Sequence, residues 1–305
     1  MYDVIIIGAG PAGMTTALYA ARSNLKILLL EQGTQGGQMN NTAEIENYPG
    51  FASIMGAELS FKMYESLTKF GIEITYGVVQ RIEVNENNKA VITEDKMYTT
   101  KTIVIATGAV HKRLKIPGEA EYVGRGVSYC AICDGAFFRD KELIVVGGGD
   151  SAVEEAIFLT RFASQVTIIH RRNSLRAQKI IQNHAFANSK IKFLWNTLVE
   201  EVQGDEQSVT QVRVKNKQNN SSNTIPCNGV FIYIGLNPHS EPFFNLGITD
   251  QNGWIKTDAH MKTNIPGIFA IGDVRKKTLC QITTAVGEGA IAAQQIYLYL
   301  QKTES

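Results

Sequence analysis

A chain of 305 residues is long enough for two domains with substantial cores. Its 44% hydrophobic and 19% charged residues are an ordinary globular balance, and a formal net charge of +1 gives no field to hold nucleic acid or a membrane surface. No apolar run approaches the roughly 20 residues of a membrane span, and Met1-Tyr2-Asp3 leads into Val4 without a signal peptide's basic start, so a cytoplasmic location is expected.

The first expected element is a strand, Asp3–Ile7, a β-branched run ending at Gly8-Ala9-Gly10-Pro11-Ala12-Gly13. This GxGxxG spacing opens a helix expected over Met14–Ser23. A second strand, Lys26–Leu30, ends in Glu31, 23 residues beyond Gly8 (31 − 8 = 23). Loop amides at a helix start receive a pyrophosphate, and an acid at about that distance takes ribose hydroxyls. The combination reads as a dinucleotide site for FAD or NAD. A tight turn followed by an ordinary surface Glu explains the glycines but not the register.

Gly36-Gly37-Gln38-Met39 and Glu46-Asn47-Tyr48-Pro49-Gly50 carry loop chemistry that suits close approach of backbone to a flat cofactor. An amphipathic helix is expected over Gly56–Phe70. The segment from Ile72 to Val104 reads as a β-meander inserted into the nucleotide fold, with a turn at Asn85–Asn88. Thr102–Ala106 reads as a further strand, ending in Thr107-Gly108. Ala109–Gly118, basic and closed by Pro117-Gly118, reads as a linker into a second domain.

Val127–Arg139 then presents Cys130 and Cys133 with Asp134 directly after them. One helical turn of separation lets two sulfurs close into a disulfide or open into a dithiol with little backbone movement, which suits a two-electron couple. Half of a zinc site is one alternative. Cys227 and Cys280 are single, however, and His111, His170, His184, His239 and His260 are scattered, so no metal is expected. A static disulfide is the other, and it is uncommon in a cytosolic chain.

Strand Glu142–Val146 ends in Gly147-Gly148-Gly149-Asp150-Ser151-Ala152, the same fingerprint with Ala for its third glycine, and a helix is expected over Ser151–Ala163. Strand Gln165–Ile169 ends at His170, again 23 residues on (170 − 147 = 23). The position that held an acid now holds His170, with Arg171 and Arg172 behind it and Arg176 further along. Arginines pair with a 2′-phosphate through bidentate bonds, so NADPH is expected here. A solvated basic helix start is the plainer reading and leaves the matched offset unexplained.

Ile191–Asn216 reads as strand pairs, broken at Gly204-Asp205 and followed by the polar run Gln218–Asn223. Val230–Ile234 reads as the strand that closes the second domain, and Gly235–Pro238 as the return linker. Thr263–Asp273 contains a strand ending in Gly272-Asp273. Gln281–Leu300 reads as a long helix with small residues on one face. The expected fold is α/β, with two Rossmann-like nucleotide-binding domains, the second inserted into the first. Residues 1–112 and 241–305 form the first domain, and residues 113–240, carrying the CxxC pair, form the second.

The stretches GAGPAG, GGQM, ENYPGF, CAICDG, GGGDSAVEEA, HRRNSLRA and IFAIGDV followed by GEGAIAAQ resemble, in order and over essentially the whole chain, the low-molecular-weight bacterial-type thioredoxin reductases. The resemblance implies two three-layer ββα domains, a homodimer, FAD in the first domain, NADPH in the inserted one and thioredoxin as electron acceptor. By position, Cys133 would face the flavin, Cys130 would attack the disulfide of thioredoxin, and Asp134 would move protons. Gly8, Gly10, Ala12, Gly13, Glu31, Gln32, Gly36, Gly37, Gln38 and Asn47 would hold FAD, with Thr107, Gly108, Gly272, Asp273, Val274, Gln281 and Ile282. Gly147, Gly149, Asp150, Ser151, His170, Arg171, Arg172, Arg176 and Gly235 would hold NADPH. The helix from Gln281 would point its N-terminus at the flavin. Because the dithiol and the nicotinamide site share one domain and both serve the flavin in the other, the domains are expected to rotate about the two linkers during turnover.

Two positions depart from the family pattern. Asn173 stands where Asp is usual and lies outside the arginine clamp. Cys280 stands where the family commonly has Arg before Gln281; either a cation near the flavin is lost, or Cys acts as a small apolar replacement. Rival readings are a reductase of another thioredoxin-like or peroxiredoxin-system partner, and a non-enzymatic flavin-binding redox sensor. Peroxiredoxin-reducing relatives carry an extra N-terminal domain, whereas this chain opens directly on the first nucleotide fold. Ferredoxin–NADP reductases of this shape lack the CxxC. A sensor would explain the first loop but not an arginine clamp beside a dithiol.

Overall fold

A computed structural model of the chain describes every residue except Thr42, Ala43, Glu86, Asn87 and Ser305, and of residues 41, 44, 73, 132, 133 and 304 only the backbone. In chain order the first segment runs β1 (Tyr2–Ile7), α1 (Pro11–Arg22), β2 (Ile27–Glu31), β3 (Glu44–Ile45), β4 (Ile54–Met55), α2 (Gly56–Thr68), β5 (Glu73–Tyr76), β6 (Val79–Val84), β7 (Lys89–Thr93), β8 (Met97–Ile105) and β9 (Ala109–His111). The middle segment runs β10 (Val127–Ser128), α3 (Ala131–Asp134), β11 (Glu142–Gly147), α4 (Asp150–Leu159), β12 (Gln165–Ile169), α5 (Lys179–Ala187), β13 (Ile191–Leu194), β14 (Thr197–Gly204), β15 (Val209–Asn216), β16 (Ser222–Pro226) and β17 (Gly229–Tyr233). The chain ends with β18 (Leu236–Pro238), β19 (Ile268–Ala270) and α6 (Ile282–Glu304). Among the described residues no helix is long and apolar enough to cross a membrane.

Two compact units result, Met1–Val110 with Asn237–Ser305, and His111–Leu236. These limits fall two and four residues ahead of the sequence-based ones at 112 and 240 (112 − 110 = 2; 240 − 236 = 4). The crossings themselves pair as β9 and β18. Three residues of each crossing, read as open linker, are therefore strand, while Leu114 and Lys115 further along donate their amides to the Glu119 carboxylate.

In the first unit, β1 lies between β2 and β8 in a parallel sheet, with Ile5 opposite Leu28 and Ile103. Alternate side chains on these strands feed different layers. Val4, Ile6, Leu29 and Val104 pack toward the helices, whereas Ile5, Ile7, Leu28, Leu30 and Ile103 pack with Val79, Ile82 and Val91. Period-two alternation of apolar residues on both faces makes a central layer, and each fully buried branched side chain contributes about 1.5–3 kcal/mol. Helix α1 starts at Pro11, three residues before Met14, because a proline at the first helical position needs no N–H partner and has its φ already set.

Two expectations for this unit are corrected. The meander does not begin at Ile72: β5 pairs parallel with β2, Leu28 opposite Glu73, and belongs to the nucleotide fold. Likewise Thr102–Ala106 is not a separate strand. It is the end of the nine-residue β8, whose start pairs antiparallel with β7 and whose end pairs parallel with β1 and β19. No Gly, Pro or Asn interrupts Met97–Ile105, so nothing turns the chain there. The turn expected at Asn85–Asn88 spans 86 and 87, outside the described residues; its ends meet through Asn85 N and Asn88 O at 2.9 Å.

Helix α6 lies close on α1. A Cβ at Gly289 would stand 2.5 Å from the Ala12 carbonyl oxygen, and the Thr16 hydroxyl donates to the Gly289 carbonyl at 3.1 Å. The small face of the last helix is thus the surface that admits α1.

The second unit repeats the plan, with parallel order β10-β17-β11-β12-β13 and a separate antiparallel sheet β14-β15-β16. Leu143, Val145 and Phe231 face α4 and α5, while Ile144, Val146, Val230 and Ile232 face Val199, Val202, Val212 and Val214. Each unit is therefore a three-layer ββα nucleotide-binding fold. The expected strand pairs over Ile191–Asn216 need one correction. β13 pairs parallel with β12, Val166 opposite Ile191, and the antiparallel pair within this stretch is β14 with β15. A four-residue strand carries no mark of its partner, so its assignment follows the sheet it completes.

Candidate active site

The first unit gathers its predicted residues at the C-terminal ends of β1 and β2. Gly8 has φ +104°, and a Cβ there would lie 2.5 Å from the Ala106 oxygen; a Cβ at Gly13 would overlap the Gly8 oxygen. A Cβ at Gly10 would meet nothing within 4 Å. Two glycines thus serve the fold, and the third leaves open space at the start of α1, which no side chain caps. An uncapped helix start beneath open backbone fits a pyrophosphate.

Glu31 reaches back to this loop, accepting the Ala9 amide at 2.6 Å and the Gly33 amide at 2.8 Å. Gly36 donates its amide to the Ala9 oxygen at 2.7 Å, bringing Gly36, Gly37 and Gln38 beside Gly10. Gln38 donates to the Ala109 oxygen at 3.4 Å, and Asn47 donates to Gln281 at 3.1 Å. Thr107 donates to the His239 oxygen at 2.6 Å, and Gly108 has open space about it. Gln32 and His239 stand 3.4 Å apart. Gly272, Asp273 and Val274 form a 3-10 turn in which a Gly272 Cβ would sit 3.1 Å from the Ala12 Cβ, and Ile282 opens α6.

That turn is held by a polar cluster that the sequence did not suggest. Glu288 accepts the Gly272 amide at 2.7 Å through Oε2 and Arg275 at 2.8 Å through Oε1. Lys277 stands 3.0 Å from Asp273 and 3.5 Å from Glu288, its side chain almost fully buried. Asp273 Oδ1 is buried and, although within ion-pair distance of Lys277, has no hydrogen-bond donor. Cys280 carries no charge here: burial, then the Asp273 carboxylate, push its thiol up to about 11.

In the second unit the glycine roles recur. A Cβ at Gly147 would lie 2.6 Å from the Ala152 Cβ, whereas at Gly149, the uncapped start of α4, it would meet nothing within 4 Å. The segment bearing the arginines folds back on this loop through Arg176 N, which donates to the Gly148 oxygen at 2.6 Å. Arg171, Arg172, Arg176 and Ser151 are exposed. Uncapped amides with three exposed guanidinium groups fit a phosphorylated dinucleotide. Gly235, at φ +119°, follows the end of β17 and accepts the Lys112 amide at 2.9 Å.

Two of the predicted nucleotide residues are turned to internal work. Asp150 accepts Gln178 N at 2.6 Å and Gln178 Nε2 at 3.2 Å, pinning the far end of the arginine segment. His170 is 4% exposed, with its ring against Gly148, where any Cβ would overlap it. Burial, then Arg176, Arg172 and Arg171, hold its pKa below the usual histidine value, so the positive charge of the clamp rests on the arginines.

The CxxC stretch opens α3. Cys130 is disulfide-bonded, and the side chain of Cys133 lies outside the described residues. The Ser128 hydroxyl accepts the Cys130 amide at 3.0 Å, the Tyr233 hydroxyl accepts the Ala131 amide at 2.7 Å, and Asp134 N donates to the Cys130 oxygen at 3.2 Å. Asp134 is half-buried. Among the described residues no cluster of His, Cys, Asp or Glu is arranged to hold a metal. Tyr233, Glu155 and Glu288 have parts here that the sequence reading missed. One signal was present for Glu155, an acid between Ala152 and Leu159 on the apolar face of an expected helix.

The chain matches the family model described as pyridine nucleotide-disulphide oxidoreductase over residues 2–289. It is 54% identical over 302 residues to the thioredoxin reductase of Listeria monocytogenes, covering 99% of this chain and 95% of the relative, and 53% identical over 304 residues to that of Bacillus subtilis, covering 100% and 96%. Among solved structures it is similar to Lactococcus lactis thioredoxin reductase in the FR conformation, with TM-score 0.96 and 59% identity, covering 99% of this chain and 100% of that one. The T. acidophilum thioredoxin reductase superposes with TM-score 0.92 at 34% identity, covering 100% and 99%. Two uncapped glycine loops, a disulfide at the head of α3 and full-length identity above one half place the chain in the pyridine nucleotide-disulphide oxidoreductases, among the low-molecular-weight bacterial-type thioredoxin reductases.

Proposed function

We propose that the protein is an NADPH-dependent thioredoxin-disulfide reductase, a cytoplasmic homodimer with FAD in its first unit and NADPH in its second. The observation that carries this reading is a disulfide at Cys130, at the start of α3, in the same unit as the arginine-flanked loop at Gly147. Bound FAD supplies a two-electron carrier between NADPH and a disulfide.

The residues divide the work. Gly10 and the uncapped α1 start, in a loop shaped by Gly8 and Gly13, would receive the pyrophosphate of FAD, and Glu31 would take its ribose. Gly36–Gln38, Asn47, Thr107-Gly108, the Gly272–Val274 turn and Gln281-Ile282 enclose the rest. Arg171, Arg172 and Arg176 grip the 2′-phosphate of NADPH above Gly147–Ser151, with His170 and Asp150 shaping that loop. Cys130 and Cys133 form the redox pair. When it is reduced, the Cys130 thiolate attacks the thioredoxin disulfide and forms a mixed disulfide; Cys133 then resolves it, releasing dithiol thioredoxin and restoring the Cys130–Cys133 bond. Asp134, next to the pair in the chain, would relay a proton to the leaving sulfur. The sum is NADPH, a proton and disulfide thioredoxin going to NADP⁺ and dithiol thioredoxin.

The test is NADPH oxidation coupled to reduction of a disulfide reagent, with and without added thioredoxin. Thioredoxin-dependent turnover is expected. Prompt bleaching of the flavin by NADPH with no turnover would point to a different disulfide partner, and no bleaching at all would sink the reductase reading.

A further inference from the structure

Glu155 sits on α4 between two contacts that fix its direction. Ala152, a turn earlier, packs beneath Gly147, and Leu159, a turn later, stands 3.0 Å from where a Gly135 Cβ would be, just past α3. Residues 152, 155 and 159 share one face of a helix, so Glu155 faces the ground between the glycine loop and the helix that Cys130 opens. Tyr233 also reaches that ground, with its hydroxyl on the Ala131 amide and the charges of both Glu155 and Asp134 bearing on it. The Glu155 Oε2 atom is buried without a hydrogen-bond partner.

No described residue pairs a cation with this carboxyl. The charge that bears on it directly is Glu154 on its own helix; Tyr233 on β17, which feels both Glu155 and Asp134, also packs edge-on against the ring of His111 on β9, whose pKa burial lowers. A carboxyl in such a place is expensive to ionise, and it becomes more so when another negative charge appears nearby. Burial, then Glu154, already push it up to about 7, so at neutral pH it has room for a proton.

We propose that Glu155 is a redox-linked proton site for the disulfide at Cys130: its carboxylate takes up a proton from water when the disulfide opens and returns it when the disulfide closes. The proposal rests on the reading of that disulfide as the reducible pair. As it opens, the S–S bond breaks and takes two electrons, which bound FAD would carry from NADPH and which dithiothreitol supplies in the experiment; one sulfur takes a proton, and the other remains a thiolate. The new negative charge raises the affinity of Glu155 for its own proton, and by linkage an ionised Glu155 disfavours the thiolate. Closure reverses each transfer. Glu155 acts on the sulfurs through charge and is a positioning residue, not a catalytic one.

The experiment equilibrates FAD-loaded protein with dithiothreitol buffers of fixed ratio from pH 6 to pH 8.5, traps free thiols with a mass tag and counts them. Wild type and Glu155→Gln should coincide at pH 6, where the acid is protonated in both redox states. At pH 8.5 the wild-type disulfide should be about three- to tenfold harder to reduce than that of the variant, the scale of one partly screened charge–charge interaction. Glu155→Asp, which keeps the acid, should restore the divergence. Parallel curves for wild type and Glu155→Gln over the whole range would overturn the proposal. Thioredoxin turnover of the wild type, measured beside it, separates the two readings. A reducible disulfide with the expected pH divergence but no turnover leaves the proton site standing and removes the thioredoxin function. A disulfide that dithiothreitol cannot open removes both.

Discussion

Glu288 accepts the Gly272 amide at 2.7 Å while its other carboxylate oxygen takes Arg275 at 2.8 Å. One acid thereby fixes the turn that presents Asp273 and neutralises two buried cations, Arg275 and Lys277. Glu288→Gln keeps the shape but leaves those cations facing a single carboxylate, a change that typically costs about 3–5 kcal/mol when the pair is buried. The variant should melt several degrees lower and retain less flavin through gel filtration. Unchanged melting and flavin content would show that the cluster does not support the turn.

Preference for NADPH over NADH follows from the three exposed arginines beside the Gly147 loop. Losing charge-assisted phosphate contacts should cost about 1.5–3 kcal/mol, roughly tenfold or more in affinity. Arg171→Ala with Arg172→Ala should raise the KM for NADPH by that factor and leave the KM for NADH unaltered. Equal kcat/KM for the two nucleotides in the wild type would contradict the assignment.

The two half-reactions should separate at the sulfurs. Cys133→Ser should abolish thioredoxin turnover while NADPH still bleaches the flavin in stopped flow, since hydride arrival involves neither cysteine. Loss of bleaching in the variant would contradict that division.

Cys227 and Cys280 should be silent toward alkylation. Burial raises the first thiol to about 12, and burial with Asp273 raises the second to about 11. Since the thiolate is the nucleophile, iodoacetamide at pH 8 should label only the CxxC pair of the reduced enzyme, as read by peptide mass. Labelling at Cys280 at a comparable rate would show that a reactive thiol has replaced the family's arginine.

Glu155 also makes a stability prediction that needs no redox partner. Its folded pKa, about 7, lies above the ordinary glutamate value of 4.5, so the folded state binds the extra proton. Stability from this group is therefore full below about pH 4.5 and is lost as pH rises through about 7. The raised pKa corresponds to roughly 3 kcal/mol at full ionisation. Glu155→Gln should raise the Tm relative to wild type at pH 8 and make little difference at pH 5. A Tm difference independent of pH would show that the carboxyl does not titrate in this range.

What the sequence alone determined was local. Gly8, Gly10 and Gly13, the exchange of Glu31 for His170-Arg171-Arg172 at equal offsets, and the turn-spaced Cys130 and Cys133 are short-range patterns, set by backbone φ and by side-chain charge within a few residues. They sufficed for two nucleotide folds, one inside the other. Only the tertiary structure decided which strands meet. β5 and β13 are too short to announce a parallel partner, and β8 reads as two strands until its two sets of neighbours are seen. Burial was equally out of reach. His170 is basic in the sequence, yet burial against Gly148 disfavours its charge; Glu155 stands on the apolar face of its helix in the sequence, which does not show that Oε2 has no partner; Tyr233 is 102 residues from Ala131, the amide it receives. The cost of a charge depends on how much water and which partners the fold leaves beside it, and those come from distant parts of the chain.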